Sequence, residues 1–141
     1  MNIKILNELD KMVDRSLKGD EIPVGAVIFD NNDNIIASAC NNRQKKCNVL
    51  GHAEINAIIK AEKKIGDWRL DGYSMIVNLE PCDMCCSIIK ESRLDKVYYF
   101  LGNNSINNST KIQKQLLEEN DYLIYKEKYK NKLSTYFKNK R

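Results

Sequence analysis

The chain has 141 residues, of which 43% are hydrophobic and 30% are charged. This balance is typical of a folded globular protein and excludes the disordered and membrane-spanning classes. The length predicts one domain over residues 1–141. No apolar run approaches the roughly 20 residues that a membrane helix needs, and residues 1–18 resemble neither a secretory signal nor a transit peptide. We therefore expect a cytoplasmic protein without a membrane partner.

The net charge of +4 is unevenly distributed along the chain. Residues 126–141 contain seven Lys or Arg and one Glu, so this segment carries +6 and residues 1–125 carry −2. A concentrated basic segment is typical of proteins that bind nucleic acid, although a solvated helix face has the same composition. The five cysteines are an odd number without an export signal, which favours free thiols over disulfides.

The first half of the chain alternates helical and strand patterns. Apolar residues at helical spacing predict a helix over residues 2–18. Residues 22–29 and 35–40 are strand-like runs on either side of a polar turn, which predicts a hairpin. A polar loop over residues 41–48 then leads to a second helix over residues 51–64, whose first turn carries His52 and Glu54.

The second half continues the alternation. Residues 73–79 are a third strand, and Pro81 lies at the position where a helix tolerates proline best, its first turn. A fourth strand over residues 96–101 follows this helix, so it is expected to run parallel to the third. A polar loop over residues 103–110 precedes a short helix predicted over residues 112–119.

At the start of the last part of the chain, the hydrophobic pattern does not distinguish strand from helix. Residues 122–125 are ambiguous between strand and helix. From Lys126 onward, Tyr129, Leu133, Tyr136 and Phe137 recur at helical spacing and predict a basic C-terminal helix over about 126–141.

The residues that carry chemistry lie at the starts of the second and third predicted helices. A catalytic zinc keeps three protein ligands and a fourth position for water, whereas a structural zinc usually has four protein ligands. His52, Cys82 and Cys85 supply three ligands. Because residues three apart share a helix face, the two cysteines can bind one ion together, and the helix dipole lowers their thiol pKa values.

Glu54, two residues after His52, is the candidate proton carrier. Zinc bound by one imidazole and two thiolates has most of its charge cancelled, so a nearby carboxylate is needed as general acid and base. Each signal is weak alone, since a histidine near a helix start or a lone Cys-x-x-Cys is commonly structural. A thioredoxin-like site would not explain His52 and Glu54. The combination, H-x-E followed by P-C-x-x-C, is the signature of zinc-dependent nucleobase deaminases.

On these residues the chain resembles the bacterial-type tRNA adenosine deaminases, which convert adenosine to inosine at the anticodon wobble position. The resemblance covers most of residues 1–100. The matching positions are 21–27, Asn41, 52–55, 68–70, 79–85 and 92–93. The resemblance implies a cytidine-deaminase-like three-layer α/β/α sandwich with a mixed central sheet of about five strands. It also implies one Zn²⁺ per subunit and a homodimer whose anticodon-loop site is shared between subunits.

The resemblance further implies contacts to the tRNA outside the metal site. Asn41 matches the family asparagine that hydrogen-bonds the target base, unless it only closes the second strand. Tyr136 and Phe137, followed by cations, resemble the end of the family's last helix, which contacts tRNA, unless they are core residues. Asn103 replaces a carboxylate expected near the target nucleotide, and residues 100–108 depart from the family's Gly-rich stretch, so substrate recognition is expected to differ there.

Three functions are consistent with the sequence. The first is deamination of a tRNA wobble adenosine. The second is deamination of a free nucleobase or nucleotide, such as guanine, cytosine or deoxycytidylate. The third is a noncatalytic RNA-binding subunit with a structural zinc, and Glu54 is evidence against it because a structural site needs no proton carrier.

Overall fold

The computed structural model describes residues 1–103 and 110–140. The elements in chain order are α1 (Ile3–Lys18), β1 (Gly25–Phe29), β2 (Ile35–Cys40), α2 (Arg43–Lys46), α3 (Ala53–Ile65), β3 (Ser74–Leu79), α4 (Asp83–Ser92), β4 (Lys96–Leu101), β5 (Lys114–Leu116) and α5 (Leu123–Asn139), with a 3₁₀ turn at Asn120–Tyr122 before α5. None of the helices in these described ranges is long and apolar enough to cross a membrane.

The five strands form one mixed sheet in the order β2-β1-β3-β4-β5. β1 pairs antiparallel with both β2 and β3, whereas β3, β4 and β5 are parallel. The predicted hairpin and the predicted parallel pair are therefore confirmed. Because α4 connects β3 to β4, the start of α4 lies at the carboxyl end of β3, and this connection places Cys82 and Cys85 at that edge of the sheet.

Helices cover both faces of the sheet. On one face, Leu9 of α1 and Tyr129 of α5 are buried in a cluster with the sheet residues Ile76 and Phe100. On the other face, residues of α3 and α4 are buried against the sheet, and this cluster includes Ala57, Ile58, Met75, Ile89 and Val97. The predicted three-layer α/β/α sandwich is confirmed. The two helices that begin with the candidate metal ligands, α3 and α4, lie in the same layer.

Two segments differ from the sequence prediction. The helix predicted over residues 112–119 is wrong, because residues 114–116 form β5 and pair with β4 in the register Val97 to Lys114 and Tyr99 to Leu116. The exposed edge of β4 offers backbone hydrogen bonds that outweigh a weak helical pattern. The loop predicted over residues 41–48 contains the short helix α2. Residues 104–109 of the predicted 103–110 loop lie outside the described residues.

Candidate active site

The two predicted metal-binding segments meet at two helix starts. His52 is the N-cap residue of α3 and Cys82 is the N-cap residue of α4, and both have extended backbone conformations. Neither side chain caps its own helix by a hydrogen bond. The imidazole and the thiol are instead directed at each other, and Cys85 joins them from the first turn of α4.

The three candidate ligand atoms are spaced as zinc requires. His52 Nδ1 lies 3.8 Å from Cys82 Sγ and 3.5 Å from Cys85 Sγ. All three ligand atoms lie within 4.8 Å of one another. A tetrahedral zinc with Zn–S of about 2.3 Å and Zn–N of about 2.0–2.1 Å holds its nitrogen and sulfur ligands about 3.6 Å apart. The donor set and its spacing therefore fit a zinc ion with three protein ligands.

The three candidate ligands affect each other's protonation. Hydrogen bonds from Cys85 and from His52 lower the pKa of the Cys82 thiol to about 4. The hydrogen bond to Cys82, together with burial, raises the pKa of the Cys85 thiol. The pKa of His52 is also raised, chiefly by its hydrogen bond with Cys82. The trio thus shares protons around one thiolate, and a divalent metal ion binds such a set by displacing those protons.

Glu54 is the buried carboxyl group next to this cluster. Its side chain is 4% exposed and lies in the first turn of α3. Burial raises the pKa of Glu54 to about 7, and the positive charge of His52 opposes that increase. A group that titrates near neutral pH can both accept and return a proton, as a general acid and base must. Perturbed carboxyl groups of this kind are typical of functional sites.

A cavity of about 240 Å³ borders His52. The residues that line it are Glu21, Ile22, Asn41, Arg43, Gln44, His52, Tyr136, Phe137 and Lys140. Three of the predicted substrate-binding residues, Asn41, Tyr136 and Phe137, therefore meet at one cavity with a predicted metal ligand. These residues are far apart in sequence, and the last turns of α5 bring Tyr136 and Phe137 to the cavity beside the start of α3.

Asn41 also has a structural role that the sequence analysis missed. Its Oδ1 accepts a hydrogen bond from the backbone N–H of Ala53 at 2.8 Å. Its Nδ2 donates to the carbonyl oxygen of Ile22 at 3.2 Å. The side chain thereby caps α3 in place of His52 and holds the start of that helix against the chain that leads into β1.

Glu21 is a further site residue to which the sequence analysis gave no role. Its carboxylate is 3% exposed and accepts hydrogen bonds from the backbone N–H groups of Gln44, at 3.1 Å, and of Lys45, at 2.9 Å. Negative charge at a helix start is stabilising, so Glu21 fixes α2 at the rim of the cavity. The available sequence signal was an acidic residue directly before an otherwise apolar strand pattern.

Gly51 allows the chain to pass closely over α2 on its way to His52. A Cβ at this position would lie 2.6 Å from Arg43 Cα, which is closer than real Cβ contacts allow. The segment before His52 therefore depends on glycine at residue 51. The close approach also sets the distance between α2 and the histidine.

Asn103 lies two residues after the end of β4 and is not among the residues that line the His52 cavity. Its backbone N–H donates to Glu80 Oε1 at 3.2 Å, and its side-chain amide donates to the Glu80 carbonyl oxygen at 3.4 Å. Glu80 also pairs with Lys114 at 2.6 Å, with both side chains largely buried. Asn103 is thus anchored to the residue that precedes Pro81, on the α4 side of the site.

Tyr136 and Phe137 are surface residues of α5. Phe137 is 51% exposed, and the two rings contact each other edge to face at a centroid distance of 5.4 Å. The Tyr136 hydroxyl donates to the carbonyl oxygen of Asp20 at 3.4 Å. The core residue of this helix is Tyr129, which is fully buried. The aromatic pair is therefore available at the cavity.

Comparison with known proteins agrees with this site. The family model described as the cytidine and deoxycytidylate deaminase zinc-binding region matches residues 2–101. The tRNA-specific adenosine deaminase of Rickettsia bellii is 42% identical over 95 residues, which cover 67% of this chain and 66% of that protein, just under two thirds of its length. The protein of the same name from Streptococcus pyogenes is 32% identical over 114 residues, covering 81% of this chain and 71% of that protein.

Solved structures share the fold. A chain from a study of A-to-I editing by tRNA:A34 deaminases at the wobble position of transfer RNA superposes with a TM-score of 0.71 and 24% identity, covering 79% of this chain and 97% of that chain. Guanine deaminase from Bacillus subtilis gives a TM-score of 0.66 and 24% identity, and the match covers 93% of this chain and 95% of that chain. The predicted fold is thereby confirmed. Because the family model matches well over half of its residues, the chain belongs to the cytidine and deoxycytidylate deaminase family of zinc-binding proteins.

Proposed function

We propose that this protein is a zinc-dependent hydrolase that deaminates adenosine to inosine at the wobble position of a tRNA anticodon. The observation that carries the proposal is the cavity beside His52, where Asn41 and the aromatic pair Tyr136 and Phe137 meet this one member of the metal-binding cluster. Its sequence relatives named tRNA-specific adenosine deaminase support the choice of substrate.

In this proposal His52, Cys82 and Cys85 hold one zinc ion. When bound, zinc acts as a Lewis acid that makes a water molecule more acidic. The spacing of Nδ1 and the two sulfur atoms supports this assignment.

Glu54 carries the protons of the reaction. Its carboxylate takes a proton from the attacking water and delivers it to the ring nitrogen beside the target carbon. It then takes the remaining proton of the attacking oxygen and delivers it to the departing amino group, which leaves as ammonia. The overall reaction is adenosine plus water giving inosine plus ammonia. A carboxyl group with a pKa of about 7 is suited to both transfers because neither protonation state is strongly favoured at neutral pH.

The remaining predicted site residues bind the RNA in this proposal. Asn41 hydrogen-bonds the target base, and Tyr136 and Phe137 stack on unpaired bases of the anticodon loop, as aromatic side chains commonly do in RNA recognition. Asn103 contacts the ribose or backbone near the target nucleotide. The protein acts as a homodimer whose two subunits share each anticodon-loop site. A cytoplasmic location is also part of the proposal, and the five free cysteines support it.

The decisive test changes Glu54→Gln and measures inosine formation in an anticodon stem-loop RNA together with bound zinc. We expect turnover to fall by about 10²- to 10⁴-fold, the usual contribution of a general acid and base, with zinc content unchanged. Glu62→Gln is the matched control, because Glu62 is a carboxylate further along α3. Full turnover in Glu54→Gln would contradict the assigned mechanism.

A substrate panel separates the proposed function from its alternatives. Wild-type protein is assayed for ammonia release with an anticodon stem-loop RNA, free guanine, cytosine and deoxycytidylate. The proposal predicts activity on the RNA alone. Activity confined to a free base or nucleotide would favour the second function, and zinc-loaded protein that binds RNA without any turnover would favour a noncatalytic subunit.

A further inference from the structure

A second concave surface lies next to the His52 cavity and is lined by several basic side chains. Its volume is about 400 Å³. Five exposed cations line it, and we call it the basic groove: Arg15 from the last turn of α1, Lys45 and Lys46 from α2, and Lys60 and Lys63 from α3. Three separate helices thus direct cations into one groove.

The positive charge of the basic groove is not balanced by ion pairs within the part of the chain that the structure describes. Among residues 1–103 and 110–140, no ion pair joins any of these five side chains to a carboxylate. Among the described residues that line the groove, Glu21 is the one acidic residue. Its carboxylate is buried and accepts hydrogen bonds from two backbone N–H groups of α2. These N–H dipoles already stabilise its negative charge.

The framework of the basic groove is held in place by hydrogen bonds. The Asn56 amide donates to the carbonyl oxygen of Cys40 at 3.0 Å and to Asn42 Oδ1 at 2.9 Å, which ties α3 to the end of β2. Lys60 Nζ donates to the carbonyl oxygen of Ser38 at 3.2 Å. The cations therefore project from a fixed surface, and an anion that binds there does not have to order the backbone first.

The basic groove is continuous with the candidate active site. Glu21 and Asn41 line both the groove and the His52 cavity. A chain of nucleotides that leaves the cavity past Asn41 would therefore run over α2 into the groove. Lysine and arginine side chains neutralise nucleic-acid phosphates, and such contacts fix the register of the strand without reading its sequence.

We propose that the basic groove binds the phosphates of the RNA strand that flanks the target nucleotide. This inference rests on the proposed function, since it takes RNA as the substrate of the neighbouring cavity. The groove sets the direction in which the strand leaves the site. It supplies affinity that is sensitive to salt, whereas the cavity supplies contacts to the base.

The test uses Lys60→Gln/Lys63→Gln in the full-length protein, in a Glu54→Gln background that prevents turnover. The affinity for an anticodon stem-loop RNA is measured by fluorescence anisotropy over a series of salt concentrations. For two phosphate contacts we expect the slope of log K against log salt to lose about 1.4 in magnitude, since each contact to a single strand contributes about 0.7. The affinity at low salt should fall by about tenfold or more.

Two controls make this result specific. Lys4→Gln/Lys11→Gln removes the same net charge from exposed positions of α1 outside the groove, and it should leave the slope unchanged. A trinucleotide RNA centred on adenosine should bind the groove variant as well as it binds the parent, because it is too short to extend into the groove. The proposal would be overturned if the control variant lost as much affinity for the stem-loop RNA as the groove variant does. It would also be overturned if the groove variant lost as much affinity for the trinucleotide as for the stem-loop.

The outcomes also separate this inference from the proposed function. Wild-type protein that deaminates the stem-loop, while the groove variant keeps the full salt slope, overturns the groove and leaves the function intact. Absence of deamination by wild-type protein, together with a reduced slope in the groove variant, supports the groove and rejects the function. If the groove variant changes the sedimentation coefficient of the protein but keeps the full salt slope of RNA binding, the proposal that the groove binds RNA is rejected.

Discussion

The C-terminal helix and the basic groove are both rich in lysine, but the structure uses their charges differently. In α5 and its C-cap, Lys128 pairs with Asp10 at 2.7 Å, Lys132 pairs with Asp14, and Lys140 pairs with Asp20 at 2.6 Å. The lysines of the groove have no such carboxylate partners within the described residues. Three of the seven cations in residues 126–141 are therefore paired with carboxylates of the N-terminal part of the chain.

The register of these pairs explains why they form. Asp10 and Asp14 are one helical turn apart on α1, and Lys128 and Lys132 are one turn apart on α5, so two helices running side by side bring them opposite each other. Tyr129 lies between the two lysines in sequence, is fully buried, and donates its hydroxyl hydrogen to Asp10. The +6 of residues 126–141 therefore overstates the charge that this segment presents to a partner.

The largest effect expected from this comparison is on stability. Tyr129→Ala should lower the free energy of unfolding by about 3–5 kcal/mol, the usual cost of emptying a buried aromatic position, because the ring packs against Phe100 at a centroid distance of 5.3 Å. Urea unfolding followed by circular dichroism measures the loss. Tyr129→Phe is the matched control and should lose only about 1–2 kcal/mol for the missing hydroxyl bond. A small effect of Tyr129→Ala would mean that α5 is a detachable tail.

The burial of Tyr129 limits how the function of the C-terminal segment can be tested. Deleting residues from 126 onward would remove Tyr129 and expose Phe100, so the deletion would damage the core as well as any RNA contact. Point substitutions on the exposed face of α5 avoid this difficulty. They keep the contact between α1 and α5 while changing the surface at the His52 cavity.

The zinc-binding cluster and most of the sandwich could be predicted because their signals are local. His52, Cys82 and Cys85 each lie at a helix start, and a helix start is marked by short-range features such as Pro81 and the polar residues before α3. The alternation of strand and helix patterns likewise predicted the hairpin and the parallel strand pair, whereas the layered fold was implied by the resemblance to a known family. The proton carrier followed from its position two residues after His52.

The remaining features depend on partners that are distant in sequence. β5 forms because Lys114 and Leu116 pair with the open edge of β4. The local sequence of residues 112–119 does not indicate that such an edge is nearby. The structural role of Asn41 depends on Ala53, and the role of Glu21 depends on α2. The basic groove collects cations from α1, α2 and α3, which a count of charge along the chain spreads over many residues.

A second prediction concerns how α5 contacts RNA. Phe137→Ala should weaken stem-loop binding by about 5- to 150-fold, corresponding to about 1–3 kcal/mol for loss of one base–aromatic stacking contact, and should leave the salt slope unchanged. Stability should change little because the ring is half exposed. Anisotropy over a salt series distinguishes this behaviour from that of Lys60→Gln/Lys63→Gln. A reduced slope in Phe137→Ala would show that α5 acts through charge after all.

The smallest effect is expected for a paired lysine of α5. Lys132→Gln removes the partner of Asp14, and a partly exposed ion pair of this kind contributes less than about 1 kcal/mol to stability. Its removal should also leave the RNA salt slope unchanged, because the charge of Lys132 is already balanced within the protein. Urea unfolding and anisotropy on the same sample check both statements. If Lys132→Gln reduced the slope as much as a groove lysine does, the ion pair would have to open when RNA binds, and the two basic regions would then act as one surface.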